Sequence, residues 1–307
     1  MGFGNTGPLV SILIPTCNRP ELLPKAINSA LFQSYKNIEV VVSDNSITPE
    51  TEEMVSRISD PRLFYSRNKE NIGPILNWRR ALNIAKGEYC VLLPDDDYFI
   101  NPFYLEDAVS IALRYEVKLV ITDCILAKPN KKSVISSRHS GLIEGRLFIE
   151  RYLKTISIPT IANLFDRKSA VEFDAFQTND ILYSDVELWM KFLSRGKVFC
   201  YNTPSVYYLL HGNNIVTNME PAALIHNSKY IRRSVGSFAS ENLIYKLICR
   251  YVLFVDRIYD YGLVNYSFIK KVFEENGISR YPFVLVFRCQ CGRLGRDLIT
   301  LVKRIFE

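Results

Sequence analysis

Residues 95–97 are three consecutive carboxylates, Asp95-Asp96-Asp97, reached across Pro94 from an apolar run, Tyr89-Cys90-Val91-Leu92-Leu93. Three adjacent anions repel one another unless positive charge sits among them. A hard divalent cation, bound through oxygen and shared with phosphates, is the counter-charge that such a cluster suits best. A solvated acidic turn without a ligand is the other reading of this stretch taken alone. An apolar strand that runs into an acidic tip is also how an open α/β sheet presents ligands at the carboxyl edge of its strands.

Other elements must bring partners to that tip, and two earlier strands end in polar groups of the same kind. Leu9 to Pro15 runs into Thr16-Cys17-Asn18-Arg19-Pro20, and Ile38 to Val42 runs into Ser43-Asp44-Asn45-Ser46. Between them the apolar spacing turns helical from Glu21, with Leu22, Ala26, Ser29, Ala30 and Phe32 on one side. Thr48-Pro49-Glu50-Thr51-Glu52 reads as cap, proline and acidic first turn. Leu63 to Tyr65 is a short third strand, Asn68 to Gly73 a turn, and Ile75 to Ala85 a helix. This alternation predicts a mainly parallel, doubly wound sheet with right-handed crossovers and its polar strand ends along one edge.

Beyond Pro102 the pattern predicts a helix from Tyr104 to Tyr115 and a strand from Lys118 to Asp123. It continues with a basic loop or hairpin over 127–140, a short helix from Phe148 to Leu153, a strand from Thr160 to Phe165 and a helix from Arg167. Ser184 or Asp185 opens a helix whose apolar face is Leu188, Trp189 and Phe192, with Trp189 expected in the core. Two strands follow, Val198 to Tyr201 and Val206 to Leu210, the second ending at His211.

The 307 residues are 48% apolar and 23% charged, enough for a sizeable core. No apolar run is long enough for a spanning helix, and Met1 to Pro8 has no signal-peptide pattern. The seven cysteines are odd in number and scattered, and they read as buried free thiols; Cys289-x-Cys291 lacks a second pair for a zinc site. The net charge of +6 is unevenly placed: residues 221–307 carry 14 Lys/Arg against 7 Asp/Glu, whereas residues 1–220 carry 24 against 25. The expected organisation is therefore a catalytic domain over 1–220 and a basic, aromatic, mostly helical region over 221–307. Its last helix, Leu294 to Phe306, has an apolar face and basic flanks. It suits either a membrane interface or docking on its own domain. No nucleic-acid module is found in the stretches that can be placed.

Several of these stretches together are specific. Ser11-Ile12-Leu13-Ile14-Pro15-Thr16-Cys17-Asn18-Arg19 resembles the opening strand of family 2 glycosyltransferases of the GT-A fold. Val41-Val42-Ser43-Asp44-Asn45-Ser46 resembles their second-strand motif. Asn71-Ile72-Gly73 and Ala85-Lys86-Gly87-Glu88-Tyr89 resemble the run into their Asp-x-Asp motif, at which Asp95-Asp96-Asp97 stands. Asp185-Val186-Glu187-Leu188-Trp189 and Tyr207-Tyr208-Leu209-Leu210-His211 resemble later motifs of the bacterial surface-polysaccharide type. The resemblance covers residues 9–217 and not the basic tail.

The resemblance implies a nucleoside-diphosphate sugar donor (a uridine diphosphate sugar by default), Mn²⁺ or Mg²⁺, and an acceptor hydroxyl on a glycan, expected to be lipid-linked; the basic excess of residues 221–307 predicts that the acceptor is met at the inner face of the plasma membrane. It places Thr16 and Asp44 at the nucleobase, with Pro15, Asn18, Arg19, Asn71, Gly73 and Asp96 around the nucleotide. Asp95 and Asp97 would face the ribose and metal, Asp97 most directly, and His211 would reach the same metal or the diphosphate. Asp185 would be the general base. Ser43 and Ser184 stand where the family often has acidic residues. No carboxylate is placed for a covalent intermediate, which points to inversion. A sugar nucleotidyltransferase would need glycines after the first strand, where Pro15 to Arg19 has none. A catalytically silent glycan- or nucleotide-binding module is the remaining alternative.

Overall fold

The computed structural model describes residues 7–129, 131–149, 161–179, 184–211, 214, 271, 274 and 275. Two compact units divide the chain, Met1–His211 and Gly212–Glu307. Every element named below belongs to the first. The helices expected over 221–307, the basic segment from Leu294 included, lie outside the described residues, as do Cys249, Cys289 and Cys291.

Ten strands form one mixed sheet: β1 (Val10–Thr16), β2 (Ile38–Asp44), β3 (Leu63–Arg67), β4 (Tyr89–Leu92), β5 (Tyr98–Phe99), β6 (Leu119–Lys128), β7 (Lys131–Ile135), β8 (Gly141–Glu144), β9 (Leu164–Asp166) and β10 (Lys197–Leu209). Their order is β3-β2-β1-β4-β9-β6-β10-β5, with β7 beside β6 and β8 beside β10. The half built from β3, β2, β1 and β4 is parallel. Its helices α1 (Leu23–Leu31), α2 (Glu50–Val55) and α3 (Pro74–Ile84) are the crossovers. All seven residues of β1 are buried, as a central strand covered on both faces requires. In α2 the cap position falls on Pro49 rather than Thr48, and no side chain caps it.

The other half departs from a parallel sheet. β9 inserts antiparallel between β4 and β6, and helices α4 (Tyr104–Tyr115), α5 (Arg167–Glu172) and α6 (Ser184–Leu193) pack around it. The basic 127–140 stretch resolves into the antiparallel β6–β7 hairpin. The two strands expected over 198–210 are one long strand, β10, with register shifts between Tyr201 and Pro204 and between Pro204 and Val206. Proline cannot donate to the ladder, and a bulge is where a sheet tolerates it. Trp189 is fully buried, edge-on to Phe165 with ring centroids 5.5 Å apart. The four cysteines described are free, and Cys90, Cys124 and Cys200 are buried. Among the described residues no helix is long and apolar enough to cross a membrane.

Candidate active site

In the order β3-β2-β1-β4, the chain turns from one side of β1 to the other between β1 and β4. A crevice forms at such a switch point, outside the carboxyl ends of the strands. Thr16 ends β1 and Asp95 lies just past β4. The Thr16 hydroxyl donates to Asp95 Oδ2 at 2.7 Å and closes the two strand ends together. Arg19 reaches in from the turn after β1 and places one guanidinium nitrogen 3.1 Å from Asp95 Oδ1 and 3.1 Å from Asp96 Oδ2. His211, just past β10, brings Nε2 to 3.1 Å from the same Asp96 oxygen. Three segments far apart in sequence, 16–19, 95–96 and His211, thus meet at Asp95 and Asp96.

Asp97, the residue expected to face a metal most directly, also braces the loop. It is 1% exposed, and its Oδ1 accepts the Leu209 N–H at 2.9 Å, so it ties the acidic loop to the end of β10. Its Oδ2 is buried and meets no donor among the described residues. Burial, and then the neighbouring Asp96, push the Asp97 carboxyl well above the usual aspartate range. The Asp95 carboxyl is pushed up to about 6, by burial first and Asp96 second, against the pull of Arg19 and Thr16.

A folded-state value above the unfolded one stabilises at low pH only. Asp95 therefore favours folding below its ordinary value of 3.8 and loses that contribution as pH rises through about 6. In metal-free buffer, the melting temperature of the wild type is expected to fall between pH 4 and pH 7 relative to that of Asp95→Asn. Parallel curves for the two proteins by differential scanning calorimetry would refute this.

The donor set has the chemistry of a hard divalent cation site: carboxylate oxygens of Asp95 and Asp96, the His211 imidazole, and a buried orphan oxygen on Asp97 beside them. It is not a ready-made cage. No group of three or more His, Cys, Asp or Glu among the described residues stands in metal-holding geometry, and Arg19 supplies the counter-charge between Asp95 and Asp96.

On the β2 side, Asp44 is fully buried. Its Oδ2 accepts from the Tyr65 hydroxyl at 2.6 Å and its Oδ1 from the Ser46 N–H at 2.7 Å. Pro15 is buried in β1. Asn18, exposed and at φ +52°, accepts the Ile47 N–H through Oδ1 and donates its own N–H to Ser46 Oγ, which joins the turns after β1 and β2. Asn71, also exposed, accepts from Asn45 Nδ2 and from the Gly73 N–H.

Gly73 sits at φ +83°, and a Cβ there would lie 2.3 Å from the Asn179 side chain, so only glycine fits. Asn179 caps α3 from a distance. Its Oδ1 accepts the N–H groups of Ile75 and Leu76 at 3.0 and 3.2 Å, and its Nδ2 donates to the Ile72 carbonyl.

Beneath the crevice lies an amide cluster that the sequence reading did not single out. Asn77, 2% exposed, accepts from Ser43 Oγ and Asn68 Nδ2 and donates to the carbonyls of Thr16 and Ser43. Ser43 is thus turned into this cluster. Asn77→Leu leaves four polar groups, three of them buried, short of a partner. The expected cost is about 2–4 kcal/mol, seen as a lower urea midpoint with an unchanged m-value; a midpoint within error of the wild type would contradict it.

Asp185 stands in the first turn of α6, 7% exposed, and its Oδ1 accepts the Val186 N–H at 2.8 Å. In the same helix Glu187 and Lys191 form a buried pair at 2.8 Å, and Lys191 also donates to the Phe173 carbonyl.

The model of the family described as Glycosyl transferase family 2 matches residues 11–173, more than half of the chain. An Escherichia coli protein described as a UDP-Glc:alpha-D-GlcNAc-diphosphoundecaprenol beta-1,3-glucosyltransferase, WfaP, is 26% identical over 272 residues, 85% of this chain and 96% of that protein. Of a longer glycosyltransferase from Rickettsia conorii, 26% identical, the chain spans 46%. Among solved structures, Staphylococcus aureus TarS 1–349 in complex with UDP-GlcNAc superposes with a TM-score of 0.69 at 16% identity, over 94% of this chain and 87% of that one. The Pyrobaculum calidifontis mannosyltransferase in complex with GDP-Man and Mn²⁺ superposes with a TM-score of 0.55 at 16% identity, over 98% and 81%. Both show the likeness of fold.

Proposed function

The chain belongs to glycosyl transferase family 2 and is a glycosyltransferase, and from that premise we propose that it moves a sugar, with inversion, from a uridine diphosphate donor to a hydroxyl of a lipid-linked glycan in polysaccharide assembly. The observation that carries this reading is the convergence of Thr16, Arg19, Asp95, Asp96 and His211 where β1 and β4 part. In this reading the donor's diphosphate lies against these fixed charges.

Thr16, Asn18, Asn71 and Gly73 line the turns that receive the nucleobase in this reading. Asp44, being fully buried, shapes that pocket through Ser46 and Tyr65 rather than from its surface. Asp96 and His211, with Asp95 behind them, are the residues that would hold Mn²⁺ or Mg²⁺. The ion, when bound, supplies a Lewis acid for the charge that develops on the leaving diphosphate. Arg19, which neutralises Asp95 and Asp96, becomes available to a phosphate oxygen once another positive charge takes its place. Asp97 holds the loop against β10, so that His211, two residues past Leu209, stays on Asp96. Asp185 takes the proton of the attacking hydroxyl. Attack on the face opposite the diphosphate then gives inversion.

A thermal-shift screen of nucleoside diphosphates with and without Mn²⁺ tests the donor half. Uridine diphosphate is expected to raise the melting temperature, and more so with metal; ligand at 100 times Kd adds about 2.7 kcal/mol. If no nucleoside diphosphate shifts it under either condition, the donor assignment is lost. The proposed site of action is the cytoplasmic face of the membrane, reached through the basic residues of 221–307. Deleting residues 290–307 is expected to lower retention on anionic liposomes, and unchanged retention would refute this attachment.

A further inference from the structure

The segment between α5 and α6 is fastened along α3 at three points. Asp174 pairs with Arg79 at 2.8 Å, and the buried Phe176 ring meets Trp78 edge-on with centroids 5.6 Å apart. Asn179 bonds to the turn where α3 begins. Asp174 and Phe176 both take left-handed backbone, at φ +53° and +60°. A phenylalanine holds that conformation only where its surroundings impose it, and strain of this kind gathers at functional sites. Here the contacts that impose it also deliver Asn179 to its place.

A helix cap alone does not account for the amide. Gly73 is the cap residue of α3 and has no side chain, so the N–H groups of Ile75 and Leu76 need an outside acceptor, and Asn179 Oδ1 serves both. An aspartate would serve as well, with its charge favoured at a helix N-terminus. The other half of the amide does what a carboxylate cannot. Asn179 Nδ2 donates to the Ile72 carbonyl at 2.8 Å, while the Ile72 N–H reaches Asn45 Oδ1 at 3.4 Å. Residue 72 is thus held from both sides, by Asn45 in the turn after β2 and by an amide more than 100 residues later. A Cβ on Gly73 would meet Asn179 Nδ2 at 2.3 Å, so no water fits between them to replace the amide.

The same turn is tied to the ends of β1 and β2. Asn45 Nδ2 donates to Asn71 Oδ1 at 3.2 Å and to the Gly73 carbonyl at 2.9 Å. Asn71 Nδ2 donates at 3.7 Å to Sγ of Cys17, the residue that follows β1.

We propose that Asn179 is a positioning residue of the donor site: its Nδ2–H bond to the Ile72 carbonyl, apart from the cap on α3, fixes the 71–73 turn in the shape that takes the nucleobase. The proposal rests on the reading that the turns beside β1 and β2 receive the base of a nucleoside diphosphate. It adds a residue from the segment before Asp185, which acts through Ile72 and not by contact with the donor.

The test uses two variants. Asn179→Asp keeps the acceptor for Ile75 and Leu76 and sets a carboxylate oxygen against the Ile72 carbonyl; Asn179→Ala removes both halves of the amide. Isothermal titration with Mn²⁺ and uridine diphosphate, or the nucleoside diphosphate that the thermal screen selects, gives affinity and stoichiometry separately. A partly unfolded variant therefore shows as lower stoichiometry and not as weaker binding. Asn179→Asp is expected to keep the wild-type melting temperature and to weaken nucleotide binding about tenfold, the scale of one lost hydrogen bond. Its donor KM should rise by the same factor and its kcat stay as in wild type. Asn179→Ala should weaken binding as much and also melt lower. Wild-type affinity in Asn179→Asp confines the residue to the helix cap and overturns the proposal, with the glycosyltransferase reading intact. A wild type that binds no nucleoside diphosphate overturns the donor reading and this role with it.

Discussion

Asp185→Asn is expected to lower kcat about 10²–10⁴-fold, the usual worth of a positioned general base, while nucleotide-induced thermal shifts stay at their wild-type size. The substitution is chosen for what it preserves. Asn matches Asp in size, and its Oδ1 can still accept the Val186 N–H that Asp185 accepts in the first turn of α6. Asn is also as good a partner for a helix N-terminus as Asp. If Asp185 only finishes its helix, Asp185→Asn keeps full turnover and an unchanged melting temperature. If it takes the proton of the acceptor hydroxyl, turnover falls with no change in stability. The outcome that sinks the assignment is a kcat within a factor of two of wild type.

The second large effect concerns the acidic trio. Asp96 Oδ2 meets both Arg19 and His211, whereas Asp97 gives Oδ1 to the Leu209 N–H and keeps only its buried Oδ2 beside them. Asp96→Asn is therefore expected to abolish the metal-dependent part of the nucleoside diphosphate thermal shift and to reduce kcat at least about 10²-fold, the scale of one lost electrostatic contact to a developing charge. Asp97→Asn retains an acceptor for Leu209 and places no charge elsewhere, so its effect on both readouts should be much smaller. Isothermal titration with Mn²⁺ and uridine diphosphate measures the first, and steady-state rates measure the second. The reverse ranking, with Asp97→Asn inactive and Asp96→Asn near wild type, would return the metal to Asp97 and contradict the arrangement of the loop.

What could be read from the amino acids, and what could not, divides along the range of the interactions. The apolar runs into Thr16, Asp44 and Asp95 are local, period-driven signals, and the parallel half of the sheet follows from them. The start of α6 at Ser184 and the burial of Trp189 were legible for the same reason. The antiparallel insertion of β9 was not, because three residues carry too little pattern to show direction. The different tasks of Asp95, Asp96 and Asp97 were hidden as well: three identical side chains in a row are told apart only by what faces each. Asn77 and Asn179 gave no periodic signal, since a lone Asn inside a helix or a loop has no period. The clue at Asn77 was a polar residue on the inner face of an amphipathic helix, which must be satisfied if it is buried. For Asn179 the pointer was Gly73, a glycine before a helix with no capping side chain of its own nearby.

That remote clasp has a consequence for how the chain comes into being. The first turn of α3 is made early in synthesis, yet the amide that closes it lies 104 residues later than Ile75. At ribosomal speeds of about 5–20 residues per second, roughly 5–20 s pass before the helix start can be completed. During that interval the parallel half of the sheet has its strands but an open helix end. The start of α3, next to the strand ends that gather Thr16 and Asp95, is thus completed only once residue 179 has been made, so its closure waits on the later half of the domain.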